Sequence, residues 1–433
     1  MVITLDGSAL NLALPTIARG LDADSAGISW VVDAYTLPLA SLLLLGGSLG
    51  DRLGAARLFR VGAVGFAGAS IGCALSPSIG LLVSFRAAQG VFAALLLPMV
   101  LALVGKSFAD AGERSKAVNL MTVFGGAGMA AGPFLGGLLT DTTGWRAVFW
   151  LTAPVAIAAA LLVAPSASER GTPGALRFDT AGQVTGTGGL VLLVSGVIEL
   201  GRGTGPVFVW PLLGLGAGLM AVFVLTERRV PHPMMPMAVF GNAAFRRAVM
   251  GGFAFQFGAY GLQFFLAVHL QRVWGVSALQ GGLLLVSFAI GVVLASLTLN
   301  PILSRRGTRA MTVVGASAAA LATLALLFLG AEDGWPLLVL AEFLVGAGSG
   351  IYSTALNQVA GAALGAEAAG LASGIYNTAR QVGQCVGIAV FGALAALADT
   401  RLGHVIAIAI VASCAAVIAA TGLRRPVPAA GGG

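Results

Sequence analysis

The sequence predicts an all-α integral membrane protein: two six-helix, pseudo-symmetric bundles with an extra helix pair inserted between them. Three features lead to this. Apolar residues make up 58% of the chain and charged residues 9%, with a mean hydropathy of +0.94. A soluble domain carries roughly 45–50% and about 25%, so charges this sparse cannot coat a water-facing surface and lipid must be the solvent. Fourteen apolar runs are each long enough to cross a bilayer as a helix. Lysine and arginine alternate between the connecting loops as a chain threading the membrane requires.

The spans run over 1–18, 29–49, 58–76, 79–104, 117–139, 146–165, 180–200, 207–226, 247–270, 280–303, 310–330, 335–359, 369–398 and 404–423. With the N-terminus in the cytoplasm, the inner loops hold 17 basic residues, from Arg52, Arg57 and Arg60 through Lys106 and Lys116 to Arg424 and Arg425. The outer loops hold five: Arg19, Arg146, Arg202, Arg272 and Arg401. A missed or extra span would scramble that alternation, so both termini are expected in the cytoplasm. The first span has only about 18 residues before Arg19, the low end for a crossing, so either a trimmed cytoplasmic leader or a mis-assigned start is expected. A cleavable signal is not expected, since the segment lacks a basic n-region and carries Asp6.

GSLGDRLGAAR closes the second span and LNPILSRRGTR the tenth, with Gly54 and Gly307 in equivalent places. This faint repeat divides the chain into a first bundle at 1–165, an inserted pair with flanking loops at 166–230, a second bundle at 231–423 and a disordered cytoplasmic tail at 424–433. The net charge of +7 sits in short inter-span loops and indicates no nucleic acid. Cys73, Cys385 and Cys414 are far apart inside apolar spans and read as small core residues; His232, His269 and His404 form no cluster in sequence. Phosphate-loop, HExxH and Cys/His patterns are absent, so neither cofactor nor metal is indicated and an ion gradient is the expected energy source.

GGAGMAAGPFLGGLL (Gly125–Leu139) packs six glycines and one proline into the fifth span. Gly128, Gly132 and Gly136 recur every fourth residue and offer a smooth face for close backbone approach, while Pro133 removes one backbone hydrogen bond. LDGSALNLALP (Leu5–Pro15) lies on the first span and WVVDAYTL (Trp30–Leu37) opens the second. GxxxDRxG reads Gly47, Asp51, Arg52 and Gly54; RxxQG reads Arg86, Gln89 and Gly90; ASGIYNTARQVG (Ala372–Gly383) sits on the thirteenth. In this order and placement the motifs resemble the fourteen-span drug:proton antiporters of the major facilitator superfamily.

That resemblance implies the major facilitator fold in a bacterial cell membrane and export of a small-molecule substrate, coupled to protons, by rocking of two bundles. It assigns Gly128, Gly132, Pro133, Gly136 and Gly137 to an antiporter motif on a moving interface, and Gly47, Asp51, Arg52, Gly54, Gln89 and Gly90 to gating. The family usually carries two basic residues after Gly54, where this chain has Ala55 and Ala56. Ser304 stands where the first-half copy has Asp51, so the latch is asymmetric.

An ionisable residue inside a span is costly and a functional candidate by default. Asp33 and Arg86 lie about 6 and 10 Å below the outer ends of their helices at 1.5 Å per residue, depths that suit a direct or water-bridged pair. Asp33, Asp6 and Arg86 are therefore the proton-coupling candidates. For Asp33 the alternative is a wetted interfacial carboxylate; for Asp6 it is a packing carboxylate bonded to Ser8, Asn11 or another helix. On the ninth span Gln256, Tyr260 and Gln263 share a face, and with Glu342, Asn377 and Arg380 they are the substrate-binding candidates. Glu342 could pair with Arg380, attract a cationic substrate or simply be water-solvated in a cavity. The expected function is efflux of small hydrophobic or cationic drugs or antibiotics by a monomer. A dedicated exporter of one metabolite or self-made antibiotic is the alternative. The glycine–proline motif disfavours a symporter. A receptor or membrane enzyme lacks a sensor domain or catalytic cluster to support it.

Overall fold

The computed structural model describes residues 1–107, 110–163, 179–230, 233, 235–328, 334–364, 369–395 and 401–423. The expected tail at 424–433 and the loop at 164–178 lie outside these residues. Among them the chain forms fourteen α-helices: α1 (Val2–Gly20), α2 (Ser25–Leu53), α3 (Ala55–Leu75), α4 (Ile79–Ser107), α5 (Ala111–Thr142), α6 (Arg146–Leu162), α7 (Thr180–Gly201), α8 (Pro206–Arg229), α9 (Ala243–Arg272), α10 (Ala278–Ser304), α11 (Gly307–Ala325), α12 (Trp335–Ala362), α13 (Ala369–Ala395) and α14 (Arg401–Leu423). Ten are long and apolar enough to cross a membrane by length and composition alone. Of the others, α6 is apolar but shorter, at 17 residues, while α1, α5 and α13 carry more polar or small residues; all four pack among the longer helices. Exposed side chains such as Leu162, Phe328 and Val207 are what a lipid-facing surface requires.

Helix ends follow local chemistry. Asp24, Asp110, Asp179 and Asn242 cap α2, α5, α7 and α9 with side-chain oxygens, and Ser277 with Gln280 forms a capping box on α10. These caps extend α2, α5 and α9 several residues beyond the apolar runs, because a polar first turn stays helical once its orphan N–H groups are satisfied. Gly54 and Gly307, the paired glycines of the repeat, both adopt positive φ (91° and 86°) at the α2–α3 and α10–α11 turns, a region that favours glycine.

The two bundles are wired alike. In the first, α2 packs on α4, α3 on α4 and α6, and α1 on α5 and α6. In the second, α10 packs on α12, α11 on α12 and α14, and α9 on α13 and α14. Two equivalent seams join them, α5 against α10 and α2 against α13. The inserted helices α7 and α8 pack on each other, and α7 lies along the α2–α13 seam, where Gln183 Nε2 donates to the Ser41 carbonyl at 2.8 Å.

At the end carrying the α1–α2 turn one apolar core runs through both bundles, from Leu10, Ile28 and Phe149 to Leu262, Leu285 and Phe391. Toward the other end it splits. Leu39, Leu43, Phe66 and Ala156 form a core in the first bundle; Phe245, Tyr352, Leu356 and Tyr376 form one in the second, with Met129 of α5 packed against it. The bundles are thus joined at one end and hold separate cores at the other.

The glycine-rich segment of α5 has two working faces. Gly128, Gly132 and Gly136 lie against Met1, Thr4, Ser8 and Ala9 of α1, where an added Cβ would collide with Ser8 or with backbone. The every-fourth-residue row, expected at a moving interface, thus packs within its own bundle. The contact across bundles is made by Gly137 against Ala278 and Leu279, and by the Pro133 carbonyl against Gly282. Removing a Cβ on each side brings α5 and α10 backbone to backbone. α5 remains one continuous helix through Pro133.

Candidate functional site

The membrane interior of the first bundle holds a buried polar network, in which Asp6 Oδ1 and Arg86 Nη2 are left without a hydrogen-bond partner. Arg86, fully buried on α4, donates Nη1 to Asp6 Oδ2 at 2.6 Å and to Gln89 Oε1 at 2.8 Å, and Nε to the Val31 carbonyl at 2.9 Å. Gln89 Nε2 donates to Ser70 Oγ at 2.6 Å, and Ser70 lies 3.0 Å from Thr152 Oγ1. The guanidinium stacks over Tyr35, 4.3 Å from the ring centre, with Phe149 at 5.9 Å. Five helices, α1, α2, α3, α4 and α6, are tied together through one arginine.

Arg86 therefore pairs with Asp6 rather than with the expected partner, Asp33. Depth along the helix is only one coordinate, and rotation about α4 points Arg86 toward α1. Asp6 is bonded to neither Asn11 nor Ser8; Ser8 Oγ donates to the Thr4 carbonyl instead. Asp33 is also fully buried, so it is not a wetted carboxylate. It faces the α2–α13 seam beside Thr36 Oγ1, which donates to its Oδ1 at 3.3 Å, and beside the thiol of Cys385 from the opposite bundle. Its Oδ2 has no hydrogen-bond partner, and no cation among the described residues lies within ion-pair reach of it.

The six substrate-binding candidates fall into two groups. Gln256 on α9 donates to Gln384 Oε1 at 3.2 Å, and its own Oε1 receives Arg380 Nη2 at 3.5 Å. Arg380 also reaches Asn377 Oδ1 at 3.4 Å and lies over the Phe255 and Tyr376 rings. Tyr260 and Gln263, one and two turns further along α9, line a cavity between the bundles with Ser8 and Asn11 of α1, Pro133 of α5 and Phe288 of α10. The free space at this site, counted together with the solvent it opens to, is about 440 Å³. Gln263 Nε2 donates a hydrogen bond to Glu342 Oε2 on α12. Glu342 thus bonds Gln263, not Arg380, and at 0% exposure it is not water-solvated.

The gating residues occupy both levels. Gln89 is the hub of the Arg86 network, and Gly90 lets α4 approach the Tyr35 carbonyl of α2. Gly47, Arg52 and Gly54 lie at the end where the cores are separate, with Arg52 exposed and Gly47 in open space. The Asp51 side chain lies outside the described residues.

Sequence reasoning missed several contacts between residues distant in the chain. Cys385, read as a small core residue, sits against Asp33. His269 and His404 meet with ring centres 5.1 Å apart, and His404 Nε2 lies 2.9 Å from the Leu326 carbonyl. Asp141 at the end of α5 accepts from the Ala278 and Leu279 N–H groups at 3.2 and 2.9 Å, capping α10 across the bundles at their joined end. Ser8 and Asn11 lay inside the motif of the first span, so their residue types were the available signal.

A Major Facilitator Superfamily profile matches residues 1–228 and 248–432. The puromycin resistance protein pur8 of Streptomyces alboniger is 36% identical over 399 residues, covering 90% of this chain and 78% of that protein. The multidrug resistance protein Stp of Mycobacterium tuberculosis is 33% identical over 402 residues, with 91% and 74% covered. The tetracenomycin C resistance and export protein of Streptomyces glaucescens is 33% identical over 409 residues, with 94% and 75% covered. Among solved structures the nucleoside transporter NupG aligns with a TM-score of 0.66 at 15% identity, covering 97% of this chain and 96% of that one. The peptide transporter POT does so with 0.66 at 16%, covering 97% and 92%; at these identities the likeness is one of fold. Two bundles wired alike around a central cavity, matched along nearly the whole sequence, make this multi-pass membrane protein a member of the major facilitator superfamily.

Proposed function

We propose that this protein is a proton-coupled antiporter that exports small hydrophobic or cationic compounds, drugs or antibiotics among them, by alternating access in a bacterial cell membrane. The observation that carries the reading is the cavity between bundles that share a core at one end and separate at the other. The relatives support it, being named for resistance to puromycin, tetracenomycin C and methylenomycin A, for multidrug efflux and for cephamycin export. Names tied to one compound favour a second reading, a dedicated exporter of a single metabolite or antibiotic.

The basic-residue count supports cytoplasmic termini, and with that orientation the conformation is inward-facing, closed at the outer end. The working units are residues 1–165 and 231–423, acting as a monomer, with the inserted helix pair attached through α7 along the α2–α13 seam. Asp33 is the favoured proton carrier. Burying it charged without a cation costs several kcal/mol, and opening the seam to the outside wets it, so its protonation follows the rocking of the bundles. Asp6, neutralised by Arg86, has a positioning role in this scheme.

A resistance panel in an efflux-deficient host, with and without a protonophore, tests the reading. Resistance to at least one antibiotic that the protonophore abolishes is expected; resistance that survives it removes proton coupling. Reporter fusions at Gly203 and Gly241 test the topology, and reports from the same side of the membrane would sink it.

A further inference from the structure

The inserted helix pair covers one seam between the bundles and leaves the equivalent seam bare. α7 packs on α2 and α13, whereas neither α7 nor α8 packs on α5 or α10. The two seams differ in one chemical respect. α10 has no titratable side chain, and α5 has none between Lys116 and Asp141. Asp33 lies in the α2–α13 seam, fully buried beside Cys385, with no cation among the described residues in ion-pair reach. The covered seam is the one that holds the acid.

Three apolar rows build that cover. On α2, Ala26, Trp30, Leu37 and Ala40 belong to one apolar cluster, and Asp33 completes their row at spacings of three and four, on the same helix face. Against it stand Leu190, Val194 and Ile198 of α7 and Val382, Cys385 and Ala389 of α13. Elsewhere on α7, Val184 and Leu200 are exposed, as a lipid-facing side requires. α7 is tied to α2 at both ends. Gln183 Nε2 donates to the Ser41 carbonyl at 2.8 Å, and Arg202 Nη2 lies 2.7 Å from Asp24 Oδ2. These ties set an antiparallel register that brings Asp33 level with the turn from Leu190 to Val194. Toward α13 the contact is apolar and close, with Gly201 against Ala393. Among the described residues no hydrogen bond or ion pair joins α7 to α13.

We infer that α7 is a lipid shield for Asp33, carried by the first bundle and sliding on the second. The sliding rests on the export reading above, in which the α2–α13 seam parts at its outer end. As α13 moves away, a helix anchored on α2 keeps its apolar row over Asp33. The gap in front of the acid then fills with water from the outer side and not with acyl chains. An acid facing hydrocarbon is costly, while one facing a water-filled gap is tolerated. The α5–α10 seam holds no acid to cover, and there Gly137 and Gly282 bring the backbones together directly.

Dicyclohexylcarbodiimide, an apolar reagent that reaches carboxyl groups from the lipid phase, tests the shield without transport. Purified protein in phosphatidylcholine nanodiscs is treated, and the modified carboxyls are located by peptide mass spectrometry. Asp33 of the wild type is expected to label slowly. Leu190→Ala combined with Val194→Ala opens the row, and Asp33 should then label about tenfold faster. Asp6 and Glu342, on helices that α7 does not pack against, should keep their rates. If the double variant does not accumulate, Gly201→Leu, which wedges α7 off Ala393, should give the same selective rise. The sliding is read by efflux in cells. A reducible thiol bridge between Ser41→Cys and Gln183→Cys should leave efflux intact, whereas one between Gly201→Cys and Ala393→Cys should arrest it until reduced. Wild type treated alike accounts for Cys73, Cys385 and Cys414. Fast labelling of Asp33 in the wild type, no selective rise in either variant, or arrest by the α7–α2 bridge overturns the assignment. Absence of any export removes the earlier reading and the sliding with it, while the labelling still decides the shield.

Discussion

In the first bundle Arg86 is held by a carboxylate, an amide, a backbone carbonyl and an aromatic face, all buried. In the second bundle, at the equivalent depth, Glu342 is equally buried and has one amide. The two sites share a backbone plan yet respond differently to perturbation. A compensated pair is stable in place and expensive to break; a lone acid is easy to neutralise and changes state when its surroundings do. One bundle is thereby a fixed scaffold at mid-membrane and the other a responsive one.

Breaking that comparison begins with Arg86→Met. It strands the Asp6 charge, a loss of about 3–5 kcal/mol for removing one member of a buried pair. We expect little folded protein and a large drop in melting temperature by fluorescence-detected size exclusion. Glu342→Gln, read in the same assay, is expected to stay within about 1 kcal/mol of the wild type, since an amide replaces the acid at like shape and can still hydrogen-bond. Equal destabilisation by the two variants would remove the distinction between scaffold and responsive site.

Next come the two faces around α5. Gly132→Leu forces a side chain into Ser8 and Ala9 within the first bundle, overpacking worth about 1–3 kcal/mol, so membrane abundance should fall. Gly282→Leu meets the Pro133 carbonyl across the bundles. It should reach the membrane in near-normal amount yet lose efflux, because the joined end no longer closes. Normal abundance with lost efflux in Gly132→Leu would instead place the moving interface on α1.

Asp33→Asn should cost little stability and abolish protonophore-sensitive efflux, because an amide cannot titrate near neutrality. Vesicles carrying it that still move protons on substrate addition would shift the role to Glu342 or Asp6. The smallest effect is expected at the exposed Arg202–Asp24 pair, 2.7 Å apart with half-exposed side chains. Arg202→Ala should change the melting free energy by less than about 1 kcal/mol, calibrating how much of the buried-pair effect is due to burial.

Much of this protein is set locally and was legible in the chain. Hydrophobic runs define helices in lipid because backbone groups have no other partner there, which is why all fourteen spans recur as α1–α14. Their short links and the paired turn glycines Gly54 and Gly307 give the repeat. The residue types of the site, an arginine, acids and amides at mid-membrane, were equally visible, since each is costly there. Which of them meet was not. Pairing depends on the rotation of each helix about its axis and on which neighbours it touches, and small shifts in either redirect a long side chain. Packing of the bundles let the long Arg86 side chain reach Asp6 on α1, left Asp33 facing Cys385 across the seam, turned the α5 glycine row inward onto α1, and brought His269 to His404. Sequence periodicity records a helix face but not what lies opposite it; only the assembled bundles supply the partner.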